Sequence, residues 1–87
     1  MASAPLAQTL VETAFYVRYH YNNERVYCPR AIEETLARID ALKTDPDDGA
    51  ATELLPPTLA LRPLLPGIPS LALENLFATL KALRGPA

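Results

Sequence analysis

The chain has 87 residues, of which 49% are apolar and 21% charged, and its formal net charge is −2. This length suits one small globular domain and excludes a two-domain enzyme, while the apolar fraction and low net charge exclude full intrinsic disorder. A domain this short buries only roughly 60–65% of the surface its unfolded chain exposes, so a marginal core, helped by self-association as a homodimer, is the expectation.

Charge divides the chain into zones: residues 1–14 carry −1, residues 15–32 carry +2, residues 33–53 carry −5 and residues 54–87 carry +2. An aromatic and basic zone thus precedes an acidic one, and a Leu/Pro zone follows. The single cysteine, Cys28, has no partner for an intramolecular disulfide, and MASAPLAQ has neither the basic nor the apolar region of a secretory signal. A reducing, cytoplasmic location is therefore expected. The apolar-rich stretch from Leu54 to Leu73 is interrupted by Pro56, Pro57, Pro63, Pro66 and Pro69 and carries Arg62, which argues against a membrane span.

Ser3, Ala4 and Pro5 form a plausible helix start, because a serine oxygen can cap free N–H groups and proline suits the first turn. The first helix is predicted over about residues 4–21, with Leu6, Leu10, Ala14, Val17 and Tyr21 on one face and Val11 and Phe15 on another side. Phe15, Val17, Tyr19 and Tyr21 also alternate, so a β-hairpin turning at Asn22-Asn23 into Arg25–Cys28 is the competing pattern. Two strands alone would be marginal, and the helix is preferred.

Pro29 can open a second helix, predicted over 29–44, whose stripe is Ile32, Leu36 and Ile39 with Leu42 at its margin. Glu34 and Arg38 stand four apart in the favourable order. The helix should stop near Thr44, before the turn-rich Asp45-Pro46-Asp47-Asp48-Gly49. Residues 50–55 allow a short helical turn, and the prolines from Pro56 to Pro69 then predict an extended or polyproline-like crossover. Ser70 can cap a third helix over 70–84, with Leu73, Leu76, Phe77, Leu80 and Leu83 on one face and Gly85-Pro86 ending it. The predicted fold is all-α: three helices and an apolar proline-rich strap over 54–69. Its core should gather Leu10, Val17, Ile32, Leu36, Ile39, Leu73, Leu76, Phe77 and Leu80.

The chemistry written in the chain is sparse. A structural zinc site needs four Cys or His ligands, and the chain holds one of each, His20 and Cys28. A nucleophile would need a base positioned beside it, and the eight-residue spacing of His20 and Cys28 does not establish contact. Gly49, Gly67 and Gly85 form no phosphate-cradling loop, and the pairs Glu33-Glu34 and Asp47-Asp48 suit a solvated face and a polar turn. No cofactor, metal or catalytic residue is expected, and no membrane.

The strongest constellation is the aromatic and basic segment, in which Tyr16, Arg18, Tyr19, His20, Tyr21, Arg25, Tyr27 and Arg30 fall within fifteen residues. Such residues anchor protein interfaces, and they can also stack on bases and hold phosphates. Against nucleic acid stand the acidic total and the small local excess of positive charge. Tyr16 and Tyr19, off the main apolar face, should be the exposed ones. The strap supplies a second surface, Leu59, Leu61, Leu64 and Leu65, which could complete the chain's own core, lie in a groove on a partner, or exchange between two copies. The expected function is a small non-catalytic protein–protein interaction module, an accessory, adaptor or regulatory subunit. Its candidate contact residues are Tyr16, Arg18, Tyr19, Arg25, Tyr27, Leu59, Leu61, Leu64 and Leu65, and nucleic-acid binding by the Tyr/Arg segment is the alternative.

Overall fold

The computed structural model describes residues 5–24, 28–65 and 71–84. These contain four α-helices and no strand: α1 (Pro5–Glu24), α2 (Arg30–Thr44), α3 (Asp48–Leu59) and α4 (Leu71–Arg84). A single 3₁₀ turn, Arg62–Leu64, follows α3. α1 packs against each of the other helices, and α3 also packs against α2 and α4.

The all-α expectation holds, and residues 15–24 are helical rather than half of a hairpin. α1 runs three residues beyond Tyr21; its buried stripe is Ala7, Leu10, Ala14, Val17 and Tyr21, with Leu6 half-buried beside them. Thr13 is also buried, and its hydroxyl donates to the carbonyl of Thr9 at 2.8 Å, so the helix absorbs that polar group internally. On α2 the buried residues are Ile32, Leu36, Ile39 and Leu42, a 3.6-residue stripe. Pro29 is its N-cap, with an extended backbone. The exposed carboxylate of Glu34 is taken by Arg30 at 3.2 Å, not by Arg38 as the sequence order suggested. Either pair is worth only tenths of a kcal/mol.

The helix count and the extended strap need correction. Asp47, expected only as a turn residue, caps a further helix by accepting from the N–H of Ala50 at 3.1 Å. From there α3 continues through Pro56 and Pro57, which stand in its last turns. These prolines remove two N–H donors, and a proline in a helix interior is costly. Burial explains why the helix persists. Within α3, Ala51, Leu54, Leu55 and Thr58 are buried on one helical face, and Leu61 and Leu65, just beyond it, are buried as well. Burying each leucine is worth roughly 1.5–3 kcal/mol, so the set outweighs two missing backbone bonds. The buried hydroxyl of Thr58 donates to the carbonyl of Leu54 at 2.7 Å, reinforcing the turn that holds the prolines.

α4 buries Leu73, Phe77 and Leu80, with Glu74 in its first turn and Lys81 and Arg84 in its last, as the helix dipole favours. Leu76 is half-buried and Leu83 exposed, so the core face is narrower than the sequence stripe. The remaining eight residues of the expected core are all buried. Among the described residues no buried side-chain nitrogen or oxygen lacks a hydrogen-bond partner. The proposed caps Ser3 and Ser70, the Gly85-Pro86 stop and the strap residues 66–69 lie outside the described residues.

Candidate functional site

Once α1 has turned its aliphatic stripe inward, its other side faces solvent. Phe15 is 61% exposed and Tyr19 59%, with Tyr16 exposed beside them. The rings form one cluster: Phe15 stacks on Tyr19 with centroids 6.4 Å apart and planes 16° from parallel, and meets Tyr16 edge-on at 5.4 Å. The (i, i+4) spacing of Phe15 and Tyr19 places them one above the other on the helix surface. Exposed aromatic rings grouped like this are the residue type that interface cores favour.

The flanks of the cluster are built differently. On the α2 side, Arg18 donates from both terminal nitrogens to the two carboxylate oxygens of Asp40, each at 2.9 Å, and Lys43 approaches the same carboxylate at 3.5 Å. The hydrogen bond from Arg18 is the main reason that the Asp40 carboxyl is held below the usual carboxylate range. Arg18 therefore braces α1 on α2. Farther along, Ala7, Gln8, Val11 and Glu12 face Leu42, Lys43 and Pro46 across an open, mainly apolar groove of about 320 Å³.

Other sequence candidates fall elsewhere. Leu61 and Leu65 are buried in this chain's own core, Leu59 packs partly against it, and Leu64 is 59% exposed. Of the strap leucines named, only Leu64 presents a large surface to a partner. Arg25 and Tyr27 lie outside the described residues. His20 is half-buried, its ring edge-on to Tyr21 at 5.8 Å. Cys28 is also half-buried, and burial, followed by the nearby Glu33 carboxylate, pushes its thiol pKa up against the opposing pull of Arg18. Among the described residues no three His, Cys, Asp or Glu side chains converge as a metal site would require. None of the described helices is long and apolar enough to cross a membrane.

Sequence reasoning missed Phe15 as a surface residue, although the signal was present. Phe15 lies four residues before Tyr19 and off the Leu10 face, so the two share the helix's outer side. A second, smaller recess of about 190 Å³ lies between α3, the 3₁₀ turn and α4, floored by Leu59, Phe77 and Ala78. Arg62 and Glu74 close its rim as an ion pair. Compared with protein-family models, curated proteins and solved structures, the chain matches none.

Proposed function

We propose that this chain is a small non-catalytic protein–protein interaction module, working as an accessory, adaptor or regulatory subunit, and that its docking surface is the outer face of α1. The observation that carries this is the Phe15/Tyr16/Tyr19 cluster, held in solvent on the side of α1 opposite a well-filled core. Keeping three aromatic rings exposed costs solubility, and a rigid helix presents them already ordered, so little entropy is lost on docking. A protein partner is favoured over nucleic acid because Arg18, on the same helix as the rings, is paired with Asp40. A single unpaired thiol suits a reducing, cytoplasmic setting.

The test compares affinity capture by the native chain with capture by a Phe15→Ala/Tyr19→Ala variant of equal helicity. The expected result is a protein retained by the first and lost by the second. Identical retained sets would sink the assignment of this face.

A further inference from the structure

The exposed side of α1 carries more than an aromatic patch. Gln8, Glu12, Phe15, Tyr19 and Asn22 are all exposed. Their spacing is four, three, four, three, which is the alternation of a coiled-coil seam. The seam is apolar at its centre, Phe15 and Tyr19, and polar at its flanks. It lies away from the buried stripe, its Phe15–Tyr19 centre open and its Gln8 and Glu12 end bordering the groove against Leu42, Lys43 and Pro46.

We infer that this seam pairs with the same seam of a second copy, the two α1 helices running antiparallel about a twofold axis near position 17. This rests on the docking role given to α1 above and names its occupant. Antiparallel pairing about that point places Phe15 of each copy against Tyr19 of the other. It also places each Glu12 against the other copy's Asn22, whose amide N–H groups can donate to the carboxylate. Among the described residues neither the Glu12 nor the Asn22 side chain makes a hydrogen bond or ion pair. A parallel pair would instead set Glu12 against Glu12, two like charges in the seam, and would align the two helix dipoles. The polar flanks thus select one orientation, as polar seam residues do in coiled coils at some expense in stability.

Area sets the strength. Phe15 and Tyr19 in the seam and Tyr16 at its edge, rings of roughly 150–250 Å² each and about half exposed, offer around 300 Å² per copy. With the polar flanks the pair would bury on the order of 1,000 Å² in total, below the 1,200–2,000 Å² of tight complexes. The dimer is therefore concentration-dependent, with a dissociation constant on the order of micromolar or weaker.

Sedimentation velocity of the full chain from about 1 to 500 μM is the first arm, covering the range in which such interfaces assemble. The weight-average mass should climb toward twice the monomer, and Tyr19→Glu should stay monomeric with an unchanged helical spectrum. The second arm mixes Glu12→Cys and Asn22→Cys chains, each carrying Cys28→Ser, under mild oxidation. A mixed disulfide between the two variants is expected, identified by its mass. A native chain that is monomeric throughout overturns the proposal, as does Glu12→Cys linking to itself in preference to Asn22→Cys. If Tyr19→Glu loses helix, the disulfide arm decides alone. A monomeric chain that still loses a captured protein on Phe15→Ala/Tyr19→Ala overturns self-pairing only, whereas a monomeric chain whose capture is indifferent to those substitutions overturns the docking role itself.

Discussion

Arg18 on α1 and Asp40 on α2 form a two-point ion pair across the helix interface, with both terminal nitrogens of the guanidinium bonded to the carboxylate. Planar forks of this kind fix orientation as well as separation. The pair ties α1, the helix that carries the aromatic cluster, to α2.

Replacing Asp40 by Asn should lower stability by about 1 kcal/mol, a modest figure because both side chains are about one-third exposed and solvent screens them. In a domain of this size that corresponds to roughly 4–8 °C in Tm. The pH dependence has a definite sign. Because the Asp40 carboxyl is held below its ordinary pKa by Arg18, its contribution is fully present above the unfolded value near 4 and is lost as pH falls through the folded value. Thermal melts of native and Asp40→Asn chains should therefore differ at pH 7 and converge toward pH 2. A constant difference across that range would remove the ion pair as its cause.

Leu61 and Leu64 stand three residues apart, and the fold gives them opposite roles: Leu61 is 3% exposed and Leu64 59%. Leu61→Asp places an unpaired carboxylate in the core and should cost upwards of about 3 kcal/mol, enough to unfold a domain of this size. Leu64→Asp should change stability by no more than about 0.5 kcal/mol. Circular dichroism melts distinguish them directly, and similar losses from both would contradict the burial of the segment.

How far the fold could be read in advance depended on which local rule governed each segment. Hydrophobic period was the main guide to α1, α2 and α4: Leu10, Val17, Ile32, Leu36, Ile39, Leu73, Phe77 and Leu80 follow helical spacing and all are buried, and only in α1 did an alternating pattern, Phe15, Val17, Tyr19 and Tyr21, compete with it. At 54–65 two signals conflicted. The prolines forbid regular backbone bonding locally, while Ala51, Leu54, Leu55 and Thr58 keep helical spacing through them, with Leu61 and Leu65 buried just beyond, and burial prevailed. Asp47 was visible as a turn residue, but its capping function depends on the helix it begins. In the candidate site, Tyr16 and Tyr19 were legible as off-face aromatics. The Arg18–Asp40 bond was not, since it joins residues 22 apart whose meeting depends on how α1 lies on α2.

The proline segment offers a direct stability test. Pro56 is exposed and stands inside α3, where it lacks the N–H that a helix would use. Pro56→Ala restores that donor and substitutes the best helix former, so stability should rise by about 1 kcal/mol, less than the full helix-interior penalty because the site is in the last turns. In a polyproline strap the same change would loosen the chain and lower stability. The direction of the Tm shift thus reports the backbone state of the segment.

Cys28 and Tyr21 predict behaviour at alkaline pH. Burial is the main cause that raises both pKa values, with Glu33 adding to the effect on the thiol and Cys28 to that on the phenol. A raised folded pKa means that the neutral forms are preferred in the native state. Their contribution is intact below the unfolded values, near 8.5 for the thiol and 10 for the phenol, and is lost as pH rises through the folded ones. The native thiol should accordingly react with a thiolate-selective alkylating reagent at pH 8 several-fold more slowly than the same chain in denaturant, since reaction requires the thiolate and access to it. Cys28→Ser should remove part of the alkaline loss of stability, leaving the part due to Tyr21. Equal alkylation rates in the native and denatured chains would show that Cys28 is not shielded, and the thiol would then have no share in the alkaline transition.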